Sequence, residues 1–481
     1  MFNLRIIARI FSLLLIVEGF FMLLSAAVAF IYNEPVKPFL FSAIVTIIAG
    51  VIVYTPMKEE ERVTGKKEGY IIITGVWILF ALFGTLPYMF SKSVNNFSSA
   101  FFESMSGFTT TGSTVFRNVE SLNHGILFWR SLTQWVGGMG MIFISLYVLP
   151  LFRSIYIQLP ASEFAGQPAD KIHPRIKDTA KRLLIIYAIL TLAETLLLFA
   201  GGTPIFDAVC ISFSTLSTGG FSTTNNSFTP FASPFLIIIL TIFMFTAGLN
   251  MTFIYFGLKR NFKKIAGNNE LIFYTLHCAV FMIIASVVFS FQKGFNPSRA
   301  VLEGSFHVVS VITTTGFYIN DHGLWGQIMI IILFMLMFSG GTAGSPSGGI
   351  KIVRLLLVTR NSRQEFIRLL HPNAFIPVRL DKKTVAQSTI FNLLVFISLY
   401  AIIVCVSALM ISFMGYDIVE SFSTSASMLA NIGPTLGSMG PSTDFSTMPE
   451  AGKWFLSALM LLGRLEMLTV MVLFTRSFYR R

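Results

Sequence analysis

The chain has 481 residues, 54% of them hydrophobic and 12% charged, with a formal charge of +12. Soluble globular proteins carry about 25% charged residues, so composition, with a mean hydropathy of +0.73, excludes a soluble enzyme or domain. The basic residues sit in short loops between apolar runs, which excludes a nucleic-acid surface and matches a membrane protein obeying the positive-inside rule.

The apolar runs are Ile6–Tyr32, Phe39–Tyr54, Tyr70–Phe90, Leu183–Ala200, Phe235–Gly257 and Val395–Met414, several near the roughly 20 residues that span a bilayer. The first follows Arg5 and contains Arg9. It exceeds the roughly 7–15 residues of a signal-peptide core and has no clear cleavage site, so it reads as a retained span. Cys210, Cys278 and Cys405 lie in apolar stretches with neither metal spacing nor a disulfide framework, and read as small membrane-core residues.

Four shorter, semi-polar stretches interrupt this pattern: Ser98–Thr114, Phe206–Thr223, Ala300–Asn320 and Ile418–Gly437. Each is too short and polar to cross a bilayer. Non-helical backbone at membrane depth is tolerated only where it is buried or lines water. Aligned on Gly112, Gly220, Gly316 and Gly433, all four carry serine six positions earlier: Ser106, Ser214, Ser310 and Ser427. Twelve positions earlier come the small residues Ala100, Ala208, Gly304 and Ser421. Thirteen earlier come Asp207, Glu303 and Glu420, with Ser99 in the first repeat. Gly219 competes with Gly220 for the second slot, but only Gly220 places a serine at the matched position. The acids are expected in the first turn of a short helix, where negative charge is favourable. They cap it, and its opposite, partly negative end then points toward the glycine and favours a cation there.

The expected fold is therefore all-α and integral to the membrane: four pseudo-symmetric helix–pore loop–helix repeats around one pore, plus two N-terminal transmembrane helices. The segments are 1–68 for the two leading helices, then 69–152, 153–258, 259–358 and 359–481 for the repeats, the third with a broken second helix. Ten crossings with a cytoplasmic N-terminus place 27 of the 35 Lys and Arg, Lys351 and Arg354 among them, on the cytoplasmic side. Both termini are then cytoplasmic, and the short stretches enter from outside.

Potassium sheds water in a narrow filter, and backbone carbonyls replace that water. Glycine permits the backbone angles required and removes bulk. The candidate filter segments are Thr109-Thr110-Thr111-Gly112, Ser217-Thr218-Gly219-Gly220, Thr313-Thr314-Thr315-Gly316 and Ala430-Asn431-Ile432-Gly433. A single Thr/Gly stretch equally serves helix packing; four copies, each between two spans, point to a pore.

The motifs TTTGST, STGGFS, TTTGF and NIGPTLG resemble the four filters of the potassium-translocating subunits of the Trk/Ktr/HKT superfamily. The resemblance covers essentially the whole chain, and the two leading spans match the TrkH type better than the shorter KtrB. It implies potassium uptake across a bacterial plasma (inner) membrane, with one pore per subunit and two subunits in a homodimer. It further implies that potassium binds at Thr110, Thr111, Gly112, Thr218, Gly219, Gly220, Thr314, Thr315, Gly316, Asn431, Ile432 and Gly433. These filters are looser than the TVGYG type, which leaves sodium as a second permeant ion. The resemblance also implies a TrkA-like cytosolic nucleotide-binding ring as regulatory partner.

A second segment, Ser339–Gly349 (SGGTAGSPSGG), interrupts the long stretch Leu324–Val358. Its glycines and proline should break the helix, and broken helices at membrane depth commonly line a transport path. Gly340, Gly341, Gly344, Ser345, Pro346, Gly348 and Gly349 are read as a gate loop under the filter, as the resemblance also implies; a Gly-rich packing kink is the alternative. Arg464 lies near the middle of the last span, where a charge is costly and usually functional or paired. The resemblance makes it an electrostatic barrier below the filter; the alternative is an ion pair with Glu466 or another carboxylate. Arg130 reads as a snorkelling residue near the outer end of its span. Glu194 reads as a relay or a hydrogen-bonded packing residue.

No metalloprotease, Walker, CxxC or nucleophile-elbow motif occurs in its required context, so neither an enzyme nor an organic cofactor is expected. An ion-coupled secondary transporter of a small solute is the alternative function. It predicts inverted repeats, whereas these repeats run in one sense. The basic loop around Arg354–Lys383 is expected to meet either the cytosolic ring or lipid headgroups.

Overall fold

The structure is a computed structural model that describes residues 3–55, 65–147, 172–293, 296–319, 326–374, 376–381, 383–437 and 444–480. The loop residues Lys58, Arg62, Arg153, Lys171 and Lys382 and the terminal Arg481 lie outside the described residues.

The chain is helical nearly throughout. Among the described residues the only strand pair is a two-residue antiparallel hairpin, Arg379–Leu380 with Lys383–Thr384. Two long helices, Leu4–Ile31 and Lys37–Tyr54, open the fold. They pack closely because each offers a glycine to the other. A Cβ on Gly50 would sit 2.7 Å from the Ser12 carbonyl oxygen, and one on Gly19 would strike Ile47.

The remaining chain repeats one pattern four times: a long helix, a short buried pore helix, a tight turn and a second helix. The long helices are Lys66–Phe83 (extended by Leu86–Phe90), Ile172–Ala200, Asn269–Lys293 and Gln387–Phe413. The pore helices, numbered 1 to 4, are Phe97–Phe108, Ile205–Leu216, Pro297–Ile312 and Ile418–Ala430. Outward faces of the long helices expose Ile189, Ile283 and Leu409 at 55%, 65% and 71%. Such apolar exposure suits hydrocarbon rather than water.

The second helices diverge from one another. His124–Tyr147 is continuous. In the second repeat, Pro234–Ala247 bends by 108° into Met251–Leu258, so the expected straight span Phe235–Gly257 is corrected to a broken one. The break follows from Asn250, whose side chain accepts a hydrogen bond from Thr252 N at 2.8 Å and starts a new helix. In the fourth repeat, Glu450–Arg464 bends by 107° into Leu468–Phe474. Six helices are long and apolar enough to cross a bilayer on their own, and the two bent pairs bring the number to eight among the described residues. The other two expected crossings fall on His124–Tyr147 and on the third repeat's interrupted stretch. There an 11-residue helix, Gly326–Leu336, precedes the 339–349 loop and Ile352–Leu370 follows it.

The expected first-turn acids divide. Asp207 and Glu420 occupy first turns, and Glu420 completes a capping box with Asp417. Glu303 does not: pore helix 3 begins earlier, at Pro297, and Glu303 instead pairs with Arg299 at 2.7 Å. The first pore helix has no acid in its first turn.

Candidate functional site

Each pore helix ends in the same strained turn. Thr110, Thr218, Thr314 and Asn431 take left-handed angles, with φ of 53°, 56°, 57° and 55°. Two residues on, Gly112, Gly220, Gly316 and Gly433 have φ of 86°, 77°, 81° and 98°. A β-branched threonine is uncommon in this region, and three of the four turns use one. Hydrogen bonds hold the geometry as a Schellman motif. In the first repeat Thr110 N donates to Gly107 O at 2.9 Å and Thr111 N to Ser106 O at 2.8 Å. Gly219 N, Thr315 N and Ile432 N reach Ser214, Ser310 and Ser427 in the same way, at 2.7, 2.9 and 3.0 Å. The serine six residues before each glycine is thus the carbonyl that closes the turn. The pairing of Thr218 with Gly220 makes Gly220 the geometric counterpart of the other three glycines; Gly219 occupies the place of Thr111, Thr315 and Ile432.

The four turns close on one another. A Cβ on Gly112 would run into the carbonyl oxygen of Gly219, one on Gly220 into that of Thr315, one on Gly316 into that of Ile432, and one on Gly433 into that of Thr111. Each glycine therefore abuts the carbonyl that precedes the next repeat's glycine, and the fourth repeat returns to the first. Cross-links fix the ring: Ser113 Oγ donates to Gly433 O at 3.0 Å, and Asn431 Nδ2 to Thr111 Oγ1 at 2.9 Å. A cavity above it is lined by all four glycines, with Arg117 and Asp444 at its edge.

Against the other side of the ring lies the loop 339–349, with Ser339, Thr342, Ser345 and Ser347 buried. Gly348 N donates to Thr314 Oγ1 at 2.7 Å, and a Cβ on Gly348 would strike the Ala430 carbonyl oxygen. Gly340 N bonds Ile350 O at 2.9 Å, closing the loop at its base. Gly344 takes φ 83° beside Asn250, and Gly349 takes φ 63°. A Cβ on Gly341 would lie 2.6 Å from Ser347 Oγ. The bend of the second repeat holds one side: Thr342 N donates to Gly248 O at 2.9 Å, and Asn250 Nδ2 to Ala343 O at 2.6 Å. Glu270 accepts from Ala343 N at 2.6 Å. On the other side Arg464, 2% exposed, donates to Pro346 O at 2.5 Å and to Gly137 O at 3.0 Å. Arg464 ends the helix Glu450–Arg464, at the bend near the middle of the broken last span. Its expected alternative partner Glu466 instead pairs with Arg354.

The sequence matches the family model for TrkH, a cation transport protein, over residues 36–478. The chain belongs to the TrkH family. It is 36% identical over 482 residues to the "Trk system potassium uptake protein TrkH" of Salmonella typhimurium, covering 99% of both chains, and equally to that of Escherichia coli K12. Its structure superposes on the crystal structure of the potassium transporter TrkH from Vibrio parahaemolyticus with a TM-score of 0.92, at 30% identity, covering 99% of this chain and 100% of that one.

Three side chains of this TrkH-family chain depart from the sequence reading. Arg130 does not snorkel. It is 2% exposed and pairs with the fully buried Glu103 at 2.7 Å, while reaching Ser222 O and Thr114 Oγ1 at 3.2 Å each. Glu103 also accepts from Val115 N at 2.9 Å. The pair thus braces the segments that leave the first two turns, and Glu103 is the first repeat's pore-helix acid, displaced four residues from the Ser99 slot. Gln134 was not singled out by sequence. Its Nε2 donates to Gly219 O at 2.7 Å and its Oε1 accepts from Phe221 N at 3.1 Å. An amide one turn after Arg130 in a mostly apolar helix was the available signal. Lys351, counted among the cytoplasmic loop bases, is buried beside the loop at 6% exposure. Glu194 is fully buried beside Thr215 of pore helix 2.

Proposed function

We propose that this chain takes up potassium ions across the bacterial plasma membrane through one pore per subunit. The observation that carries this reading is the closed ring in which four glycine turns abut four carbonyls. A dehydrating monovalent cation needs oxygens on all sides and no side chain in its path. Carbonyls of Thr111, Gly219, Thr315 and Ile432, with the adjoining Thr110, Thr218, Thr314, Asn431 and the four glycines, would bind the ion. The names borne by the relatives support potassium as the cargo, and because these filters are looser than the TVGYG type sodium is kept as a second permeant ion.

The loop 339–349 is the gate in this reading. It lies against the ring, and Arg464 beside it supplies positive charge that repels cations from the resting pore. The segments 1–68, 69–152, 153–258, 259–358 and 359–481 are the leading hairpin and the four repeats, with both termini cytoplasmic. Gating would require a separate nucleotide-binding ring on the cytosolic face, and the subunit would pair as a homodimer in lipid.

The test is potassium and sodium flux into proteoliposomes of the purified chain, beside Gly316→Asp and a variant with 339–349 shortened. Flux that collapses in Gly316→Asp and rises on shortening the loop supports both parts. Unchanged flux in Gly316→Asp removes the filter; unchanged flux in the shortened variant removes the gate.

A further inference from the structure

The loop 339–349 encloses a cation of its own. Lys351 lies two residues beyond its last glycine, and its Nζ is 2.5 Å from Ser347 O, 3.1 Å from Ser345 O and 3.3 Å from Ser347 Oγ. An ammonium has three protons to donate and nothing to accept, so the loop's oxygens meet its whole capacity. The neighbouring carboxylates are engaged elsewhere, Glu270 with Ala343 N and Glu466 with Arg354. Carbonyl and hydroxyl oxygens, not an ion pair, therefore hold the charge. Burying a charge is costly unless such groups surround it.

The loop's ends are tied together by Gly340 N to Ile350 O and by Ile352 N to Gly341 O, at 2.9 and 3.1 Å. From outside, Asn250, Glu270, Arg464 and Thr314 reach the loop at other atoms: Ala343 O and N, Pro346 O and Gly348 N. Those contacts place the loop, whereas Lys351 holds its interior. Backbone carbonyls with a hydroxyl are also the oxygens that replace water around a potassium-sized ion.

We propose that Lys351 is a tethered ion: its ammonium occupies a cation site inside the loop and keeps the loop closed, and removing it leaves a site for a small primary alkylammonium ion. This rests on the reading of 339–349 as the gate. Lys351→Ala deletes three carbons and the nitrogen, which is the volume of propylammonium.

The experiment compares wild type, Lys351→Ala and the loop-shortened variant as full chains in proteoliposomes, with propylammonium or tetramethylammonium added. Tetramethylammonium carries the same charge but has no N–H to donate. Lys351→Ala should conduct about tenfold faster than wild type, the factor that about 1.4 kcal/mol of closed-state stabilisation represents, and propylammonium alone should reverse this. If Lys351→Ala matches wild type while the shortened loop conducts faster, the tethered ion is wrong and the gate stands. If neither variant changes flux, the gate reading fails and takes this inference with it. A faster Lys351→Ala that ignores propylammonium has only a packing role for Lys351, which overturns the site. Thermal unfolding in detergent tests the site even in a non-conducting variant. Propylammonium should raise the melting temperature of Lys351→Ala and not of wild type, and no shift would overturn the proposal.

Discussion

The two ends of the central axis are built by opposite means. The ring is made four times over, from main chain, and each copy depends on a glycine that touches the next repeat's carbonyl. The loop is made once, in the third repeat, and is held by individual side chains: Asn250 from the second repeat, Arg464 from the fourth, Glu270 and Lys351 from its own. A main-chain ring leaves no room for substitution and fixes one geometry. A loop held by separate polar side chains can be released one contact at a time. The difference suits a fixed selective element beside a movable one.

The strongest challenge to this contrast is to add a single methyl group to the ring. Gly220→Ala forces a left-handed alanine and drives its Cβ into the Thr315 carbonyl, so potassium flux should be abolished. Gly219→Ala meets the side chain of Gln134 instead of backbone and should retain measurable flux. Equal loss in both would place the two glycines on the same footing and blur the fourfold equivalence.

The buried brace behind the ring comes next in size. Glu103→Ala or Arg130→Ala each leaves an uncompensated charge in the core, so each should lower stability by about 3–5 kcal/mol, whereas Glu103→Gln with Arg130→Met should cost less than either. Thermal unfolding in detergent measures this, and additive losses would show that the two residues act independently.

At the loop, Arg464→Gln removes its donors to Pro346 O and Gly137 O together with the charge. Flux without any cytosolic partner should rise by roughly ten- to a hundredfold, the factor that the roughly 1.5–3 kcal/mol typical of a hydrogen bond to a charged group represents. A fall in flux would make Arg464 part of the conducting path. The smallest expected effect is at Thr110, whose hydroxyl is buried without a hydrogen-bond partner. Thr110→Gly relieves the left-handed strain and frees the unfolded chain, so stability should change by no more than about 1 kcal/mol, with flux retained.

Much of the ring was legible because helix-end geometry fixes spacing. A Schellman turn sets the distance from the closing carbonyl to the glycine, so Ser106, Ser214, Ser310 and Ser427 fall at one interval from Gly112, Gly220, Gly316 and Gly433. The broken third repeat was legible because a Gly/Pro/Ser run interrupts a stretch too long for one crossing. The bend at Gly248–Asn250 was not, since one glycine and one asparagine scarcely disturb an apolar run. The Arg130–Glu103 pair joins two helices through a contact 27 residues apart, which no local pattern encodes. Lys351 read as a cytoplasmic base because loop position and burial are set by the tertiary fold rather than by its neighbours in sequence.

The most direct test of the central claim is to locate a heavy monovalent ion. Crystals of the chain grown with thallous ion in place of potassium should show anomalous density between the carbonyls of Thr111, Gly219, Thr315 and Ile432, and Gly316→Asp should lose it. Density that avoids this ring, or that survives Gly316→Asp unchanged, would contradict the account.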